Sequence, residues 1–325
     1  NYEILDLPKL NQSIEKITEK YEEKGHYLVE VRYELTEDKE RNEVALTLKL
    51  DENAKVVVNT VSLIGNKAIS SEELKKIMQT REGGLFSFLT GSGSYKEQAL
   101  DRDVQMIQYY YGTMGYVKAK VSKPEVTVTP DKKFIYITLY IEEGEKYYVG
   151  KVDFGGDLLF TRDELREDLL LVDGDVFNTD TLRRETLRYT EKYGDLGYAY
   201  ANVIPQTIIH EDTKKVDVTF EVEKGERVYF GTITVTGNTR TKDKVVRREL
   251  KVLEGELYNG TRKRESRENV IRLGFFDNVE FHQTSRKNDP RIVDLEIRVK
   301  ERSTGQLVVG AGYASGNIGF TAQAQ

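Results

Sequence analysis

The strongest constraint on this chain is a pair of short motifs that recur in fixed register. The first is an alternating strand that ends in Gly plus Asn or Asp: Val61-x-Leu63-x-Gly65-Asn66, Val152-x-Phe154-x-Gly156-Asp157 and Ile233-x-Val235-x-Gly237-Asn238. The second is acidic-Gly-x-aliphatic-aromatic: Glu82-Gly83-Gly84-Leu85-Phe86, Asp173-Gly174-Asp175-Val176-Phe177 and Glu254-Gly255-Glu256-Leu257-Tyr258. In every copy its Gly follows the Gly of the first motif by 18 residues. Two unlike motifs that keep one spacing mark a repeat architecture. A third landmark, Gly followed by an aromatic, closes the pattern at Gly115-Tyr116, Gly197-Tyr198 and Gly274-Phe275, with a looser copy at Gly25-His26-Tyr27.

Each copy reads as β-α-α-β-β. A strand ends at a turn whose Gly and Asn tolerate positive φ. A short helix follows, opened by capping boxes at Ser70-x-x-Glu73 and Thr161-x-x-Glu164. Leu74 and Met78, and Leu165 and Leu169, give it an apolar face. The acidic-Gly landmark is expected to end this helix, with Gly as a C-cap. A second helix, carrying Leu100, Val104, Ile107 and Tyr111 in one copy and Val270 and Leu273 in another, runs to the Gly-aromatic stop. In the first full copy, Phe88 to Ser94 read as a flexible insertion between the helices.

Two alternating strands finish the unit. Their inward residues are Val117, Ala119, Val121 with Ile135, Ile137, Leu139, Ile141; then Ala199, Ala201, Val203 with Val216, Val218, Phe220, Val222; then Val279, Phe281 with Val293, Leu295, Ile297, Val299. Period two with one apolar face means a sheet buried on one side, here under two helices. The fold class is therefore α+β, a tandem of three-stranded mixed sheets. Residues 54–144, 145–225 and 226–302 form full units. Residues 1–53 hold only a second helix (Leu10, Ile14, Ile17, Tyr21) and two strands (Val29, Val31, Tyr33; Val44, Leu46, Leu48, Leu50). Half a unit leaves its sheet face partly uncovered. The chain opens at Asn1 without an initiator Met, so it is expected to be an excised or mature segment with residues upstream. Short linkers at Glu52-Asn53, Gly144-Glu145 and Gly225-Glu226 imply touching neighbours.

Residues 303–325 differ. Ile318, Phe320, Ala322 and Ala324 alternate with Asn317, Gly319, Thr321 and Gln323, after Gly310-x-Gly312-Tyr313. This fits the opening strands of a membrane β-barrel, with lipid on one face and a wet lumen on the other. It also fits one ordinary amphipathic hairpin.

Composition excludes several classes of function. The 49 basic and 55 acidic residues are interleaved and the net charge is −6, which argues against a nucleic-acid footprint, since that needs a basic face. There is no cysteine for a disulfide, zinc ribbon or thiol nucleophile. No apolar run approaches the roughly 20 residues of a membrane helix. His26, His210 and His282 fall in different units and cannot form one metal or catalytic site unless units fold together. No phosphate-binding Gly-Lys-Ser/Thr loop occurs, and Gly91-Ser92-Gly93 belongs to the insertion. The chain reads as a binding array, not an enzyme, with no cofactor.

The repeated unit, with its Gly-Asn turn and Gly-Tyr stop, resembles a POTRA domain, and the resemblance covers residues 1 to 302. The most specific stretch combines Gly237-Asn238-Thr239, Arg247-Arg248-Glu249-Leu250, Glu254-Gly255, Arg272-Leu273-Gly274-Phe275-Phe276 and Val299-Lys300-Glu301-Arg302. It is similar to the barrel-proximal POTRA domain of the BamA family of outer-membrane assembly proteins. The resemblance implies a periplasmic location, a barrel after residue 303, unfolded outer-membrane proteins as clients, and accessory lipoproteins (BamD-like, possibly BamB-like) as partners. It assigns lipoprotein docking to Glu254, with Arg247 beside it. A local reading of Glu254 stands next to this one, because Glu82 and Asp173 hold the same place in other units. A two-partner-secretion or related transporter arm is the alternative function, and a barrel-less envelope adaptor is a third.

Client capture is expected at the strand after each Gly-aromatic stop, placed at the sheet edge, where free N–H and C=O groups accept a further strand. The candidates are Tyr116 to Lys123, Tyr198 to Ile204 and Asn278 to Gln283, with Tyr116, Lys118, Lys120, Tyr198, Tyr200, Val279 and Phe281 as contact residues. Edge lysines also serve to block aggregation, which is the competing reading of Lys118, Lys120 and Lys123. A proline at Ala119 is expected to weaken binding and spare the fold. Basic residues at Arg240, Lys242, Lys244, Arg247, Arg248, Lys251 and Arg262 to Arg264 could meet anionic head groups, or be solvated faces balanced by Asp243, Glu249 and Glu265.

Overall fold

The computed structural model describes residues 6–38, 43–53, 55–84, 93, 95–302, 307–314 and 317–324. It divides into two compact units: Asn1–Gly150 with Leu171–Thr181 and Ile209–Val216, and Lys151–Leu170 with Leu182–Ile208 and Asp217–Gln325.

In the first unit, α1 (Leu7–Glu23) starts at Asp6, whose carboxylate accepts from Lys9 N, with proline in the opening turn. Strands β1 (Glu30–Asp38) and β2 (Glu43–Asp51) pair antiparallel, with Tyr33 opposite Leu48 and Leu35 opposite Leu46. Tyr33, Leu46 and Leu48 were expected to line the sheet's apolar face, yet they, like Leu35, are each about 40% exposed. Two strands and one helix supply only part of the cover the row needs.

The next repeat is complete. It contains β3 (Val57–Ile64), α2 (Ser71–Ile77), α3 (Glu97–Thr113), β4 (Lys120–Val121), β5 (Glu125–Val128) and β6 (Phe134–Glu142). Strand β3 runs parallel to β6, and β4 and β5 run antiparallel along its other side. Leu74, Leu100, Ile107 and Tyr111 of the helices, with Met78 just after α2, close over Val58, Val61, Ile135, Ile137 and Leu139. At about 25 cal/mol per Å² of apolar surface removed from water, such a cluster dominates the stability of the repeat. The expected single second strand is broken in two. Pro124 has no N–H for the ladder, and Ser122 bridges the gap: its N–H donates to Tyr140 O and its Oγ accepts from Tyr140 N.

In the third repeat, β7 (Tyr148–Gly156), α4 (Arg162–Arg166), α5 (Thr179–Gly194), β8 (Asn202–His210) and β9 (Lys215–Glu223) give a sheet in the order β7-β9-β8. Phe154 stacks on Phe220, and Tyr189 sits edge-on to both.

The fourth repeat lies wholly in the second unit. It contains β10 (Tyr229–Thr236), α6 (Asp243–Arg247), α7 (Gly260–Arg272), β11 (Phe276–Arg286) and β12 (Asp289–Glu301), again with the last strand in the middle of the sheet. A hairpin of β13 (Leu307–Ala314) and β14 (Asn317–Ala324) follows, antiparallel. The two-faced pattern read there from the sequence concerns side chains outside the described residues, as does the insertion at Phe88 to Ser94 apart from Gly93.

The Gly-Asn turn is a close crossing. At Gly65, Gly156 and Gly237, φ is +97°, +77° and +85°. A Cβ there would lie 2.2, 2.3 and 2.0 Å from the carbonyl oxygens of Ile141, Val222 and Val299. A carboxylate then clamps the turn. Glu143 accepts from the N–H groups of Lys67 and Ala68, and Glu301 from those of Arg240 and Thr241 and from the Thr239 hydroxyl. These bonds hold Glu301 down at about 2. Glu143 is also lowered: its burial acts the other way, but the Tyr111 hydroxyl and the turn amides outweigh it.

The acidic-Gly landmark does not end the first helix, as expected from the sequence. Helices α2, α4 and α6 stop after one or two turns, at Ile77, Arg166 and Arg247. The landmark instead pairs with the first strand. Gly83, Gly174 and Gly255 donate to Val58 O, Val149 O and Phe230 O, while Val58, Val149 and Phe230 donate to the carbonyls of Gly93, Asp175 and Glu256. Thr161–Glu164 forms the full capping box; at Ser70 only the Glu73 N to Ser70 Oγ half is present, because the Glu73 carboxylate accepts from Tyr110.

Candidate polypeptide-binding edge

Each full sheet has two outer strands, and the fold treats them differently. The first strand is covered along its opening half by the landmark loop just described. Side chains extend the cover. Glu82 Oε1 accepts from Val61 N at 2.9 Å, and Glu254 Oε1 from Ile233 N at 2.8 Å, each beside a register shift in the parallel ladder. Arg247 Nη2 donates to Ile233 O, and Arg162 Nε to Phe154 O.

The strand after the Gly-aromatic stop forms the other edge. In the third repeat this is β8, nine residues long, the outer strand in the order β7-β9-β8. Ile204 and Ile208 project outward, 38% and 61% exposed. Strand β11 is longer but partly guarded, since Arg267 Nε donates to Val279 O. The neighbouring Lys263 ammonium bonds to Gln283 and is pushed down by burial.

The residues singled out from the sequence scatter across this frame. Tyr116, Lys118, Tyr198 and Tyr200 do not lie on edge strands. After the Gly stop the chain first makes a turn, in which Tyr116 and Tyr198 N–H bond back to Tyr111 O and Tyr193 O. Tyr116 packs edge-on against Tyr111, and Tyr198, nearly buried, lies beneath Arg227. Lys118 is committed to Glu211, while Tyr200 is exposed. Lys120 is in β4, opposite Glu142. Val279 and Phe281 are on β11 but face the core, opposite Val299 and Ile297, so only their backbone is offered. Ala119 is 3% exposed and its N–H donates to Tyr116 O, so a proline there would break the turn and would not spare the fold.

Glu254 and Arg247 do come together. Beyond its bond to Ile233, Glu254 lies 3.8 Å from Arg247 Nη1, and Arg247 Nε donates to Asp243 at 2.5 Å. Lys75 and Glu82 repeat the pairing at 2.7 Å, which holds Glu82 below its usual value. The adjoining Leu253 is 62% exposed. Several basic residues of this repeat are paired: Arg248 with Glu249, Lys251 with Glu265, Arg264 with Glu191. His26 bonds backbone carbonyls and His282 bonds Glu280; among the described residues no His, Asp and Glu group could hold a metal.

The sequence reading missed how repeats join. Tyr147 N donates to Gly115 O and Val228 N to Gly197 O, so each Gly stop receives the strand entering the next repeat. Val176 fills the space above Gly115, and Leu257 that above Gly197, where a Cβ would lie 2.6 Å from Leu257 Cδ1. Gly112 meets Thr179, the first residue of α5, and Gly194 approaches Gly260, the first residue of α7. Asp195 Oδ1 and Oδ2 accept from Thr261 N and Oγ1 at 2.7 and 2.8 Å. The repeated Gly-x-x-Gly at 112–115 and 194–197 was the available signal.

A β-α-α-β-β unit repeated in series, with the last strand central in each sheet, defines a tandem array of small α+β modules. The POTRA family, described as surface antigen variable number repeat, matches residues 2–53, 56–144, 147–225 and 228–302, and the chain belongs to it. Over 316 residues it is 32% identical to the outer membrane protein assembly factor BamA of Nitratidesulfovibrio vulgaris, covering 96% of this chain and 40% of that protein. Over 305 residues it is 30% identical to BamA of Neisseria meningitidis, covering 94% of this chain and 38% of that protein. The crystal structure of Haemophilus influenzae BamA POTRA3-5 aligns with a TM-score of 0.66 at 26% identity, covering 76% of this chain and 96% of the other. The chain thus spans about two fifths of the length of these curated relatives.

Proposed function

We propose that this chain is the periplasmic POTRA arm of an outer-membrane protein assembly factor. It receives unfolded outer-membrane proteins as added strands and docks accessory lipoproteins, BamD-like at Glu254 and Arg247 and BamB-like elsewhere. The hairpin β13–β14 would open the barrel that follows. The observation that carries the reading is the outer position of β8 in its sheet, with β7 at the opposite edge paired to the loop at Gly174 and Asp175. Main-chain pairing is indifferent to client sequence, and the exposed Ile204 and Ile208 add apolar contact for an alternating client strand.

The test is site-specific photocrosslinking to a peptide from an outer-membrane barrel strand. Probes at Ile204 and Ile208 should capture the peptide, and probes at Lys151 and Asp153 on β7 should not. Equal capture from both edges would refute strand addition at β8. For Glu254, lipoprotein binding by Glu254→Ala is compared with Glu82→Ala, which has the same local geometry. If neither variant weakens binding, Glu254 is a strand clamp and nothing more.

A further inference from the structure

The joints between repeats place equivalent positions in contact, and the chemistry at those positions changes from joint to joint. The position three residues before each Gly stop faces the first residue of the next long helix. It pairs Gly112 with Thr179, and Gly194 with Gly260, and both pairs make close contact. At the joint between the first and second repeats the same two positions hold Glu22 and Glu97. A second pair of positions behaves likewise. Glu191 forms an ion pair with Arg264 between the third and fourth repeats. Its counterparts at the first joint are Glu19 and Asp101, two acids. Here α1 and α3 border a cleft of about 490 Å³ lined by Glu19, Glu22, Glu23, Glu97 and Asp101, with Lys96, Arg102 and the neutral Gln98 and Ala99.

We propose that the joint between the first and second repeats is a proton-operated hinge: Glu22 and Glu97 hold α1 and α3 apart while both are ionised, and let them close when one is protonated. The other joints, with glycine and threonine at these positions, lack this response. Like charges that line one cleft near a protein surface repel, and removing one of them by protonation relieves the repulsion. Glu22 is the group that takes the proton. It sits in the last turn of α1, where the helix carbonyls disfavour a negative charge, whereas Glu97 opens α3, where the helix N–H groups favour one. Burial, and then the charges of Glu97 and Glu19, already hold the Glu22 carboxyl above its usual value. Lys96 and Arg102 face the cleft from α3 and temper the repulsion, and the Tyr27 and Tyr95 rings pack edge-on beside it, 4.5 Å apart. A group raised in the open state favours closure as the pH falls toward its value and favours opening as the pH rises through it.

The chain has no cysteine, so two introduced thiols label it uniquely. Spin labels at Lys16→Cys and Lys76→Cys, both exposed, report the first joint by pulsed dipolar spectroscopy on the intact chain. The distance distribution should be broad at neutral pH and narrow progressively as the pH is lowered into the acidic range where a glutamate takes up its proton. The double variant Glu22→Gln/Glu97→Gln should be narrow at both, and Glu97→Lys, which restores opposite charges, narrow at the higher pH. A control pair at Glu167→Cys and Lys287→Cys, placed on the third and fourth repeats, should not respond. A distribution independent of pH, or a double variant that stays as broad as the parent, overturns the proposal; circular dichroism at both pH values confirms that the chain is folded in each arm.

Discussion

Asp195 Oδ1 accepts a hydrogen bond from Thr261 N at 2.7 Å, so a residue just after one repeat's long helix caps the first turn of the next repeat's long helix. The helix α7 already has its own N-cap, Asn259, which accepts from Arg262 N at 2.8 Å. Two of the free N–H groups at its start are therefore satisfied by two different repeats. Asp195→Ala should destabilise the fourth repeat by about 1 kcal/mol, the usual worth of an N-cap. Urea unfolding followed at the fourth repeat checks this; a change confined to the third repeat would contradict it.

Gly197 carries a heavier constraint. Its φ is +98°, and Leu257 occupies the space a side chain would need. Gly197→Ala should cost about 1–3 kcal/mol from backbone strain alone, and the clash adds to it. The expected readout beyond stability is faster amide exchange at Val228, whose N–H bonds to Gly197 O. Unchanged exchange there would show that the joint tolerates the methyl group.

Asp103 lies buried on α3 and accepts from the N–H groups of Gln79 and Thr80 at 2.6 and 2.9 Å. Ser266 holds the same place in the fourth repeat, accepting from Lys251 N at 2.7 Å. Asp103→Ala strands two donors and should cost about 1–3 kcal/mol for each that stays dry; Ser266→Ala strands one. The ratio of the two losses, measured by chemical denaturation, tests whether these residues are anchors for the loop after the short helix.

The clamp at Glu301 predicts an acid signature. Its value of about 2 lies below the 4.5 of an unperturbed glutamate, so its contribution is complete above about 4.5 and is withdrawn as the pH falls toward about 2. The thermal midpoint of the parent should exceed that of Glu301→Gln at neutral pH, and the gap should close across that window. A gap constant with pH would mean that the carboxylate charge is irrelevant to the turn.

Strand addition gives a fifth prediction. Ile208→Lys changes an exposed edge residue and should leave stability within about 0.5 kcal/mol. It should weaken capture of barrel-strand peptides, because an edge lysine opposes pairing by a further strand. Surface plasmon resonance with immobilised peptide would show this, and full retention of binding would move the client site elsewhere.

Much of this was legible in residue order because repetition averages out local ambiguity. The buried rows Ile135-Ile137-Leu139 and Leu295-Ile297-Val299 read directly, since period two survives any neighbour. The strand order, with the last strand central, was less accessible, although the edge role of the strand after the Gly stop followed from it. The turn at Tyr116 and Tyr198 is a local one, closed by their own N–H groups on Tyr111 O and Tyr193 O, but the docking of Gly83, Gly174 and Gly255 on the first strand depends on backbone bonds to distant residues. Propensity reports only near neighbours, so glycines placed for tertiary contact were taken for helix stops. The joints were missed for the same reason: Gly112 and Gly194 look dispensable until the following repeat is set against them.

The shared cap at Asp195 also bears on how such arrays are inherited. A segment copied or excised between Gly197 and Val228 would separate a helix from half of its starting hydrogen bonds. Duplication of a single module is therefore not free of context, and lengthening the array demands a compatible residue in the module upstream. Selection then acts on adjacent pairs as much as on single modules, and the seams should accept fewer exchanges than the interiors of the sheets.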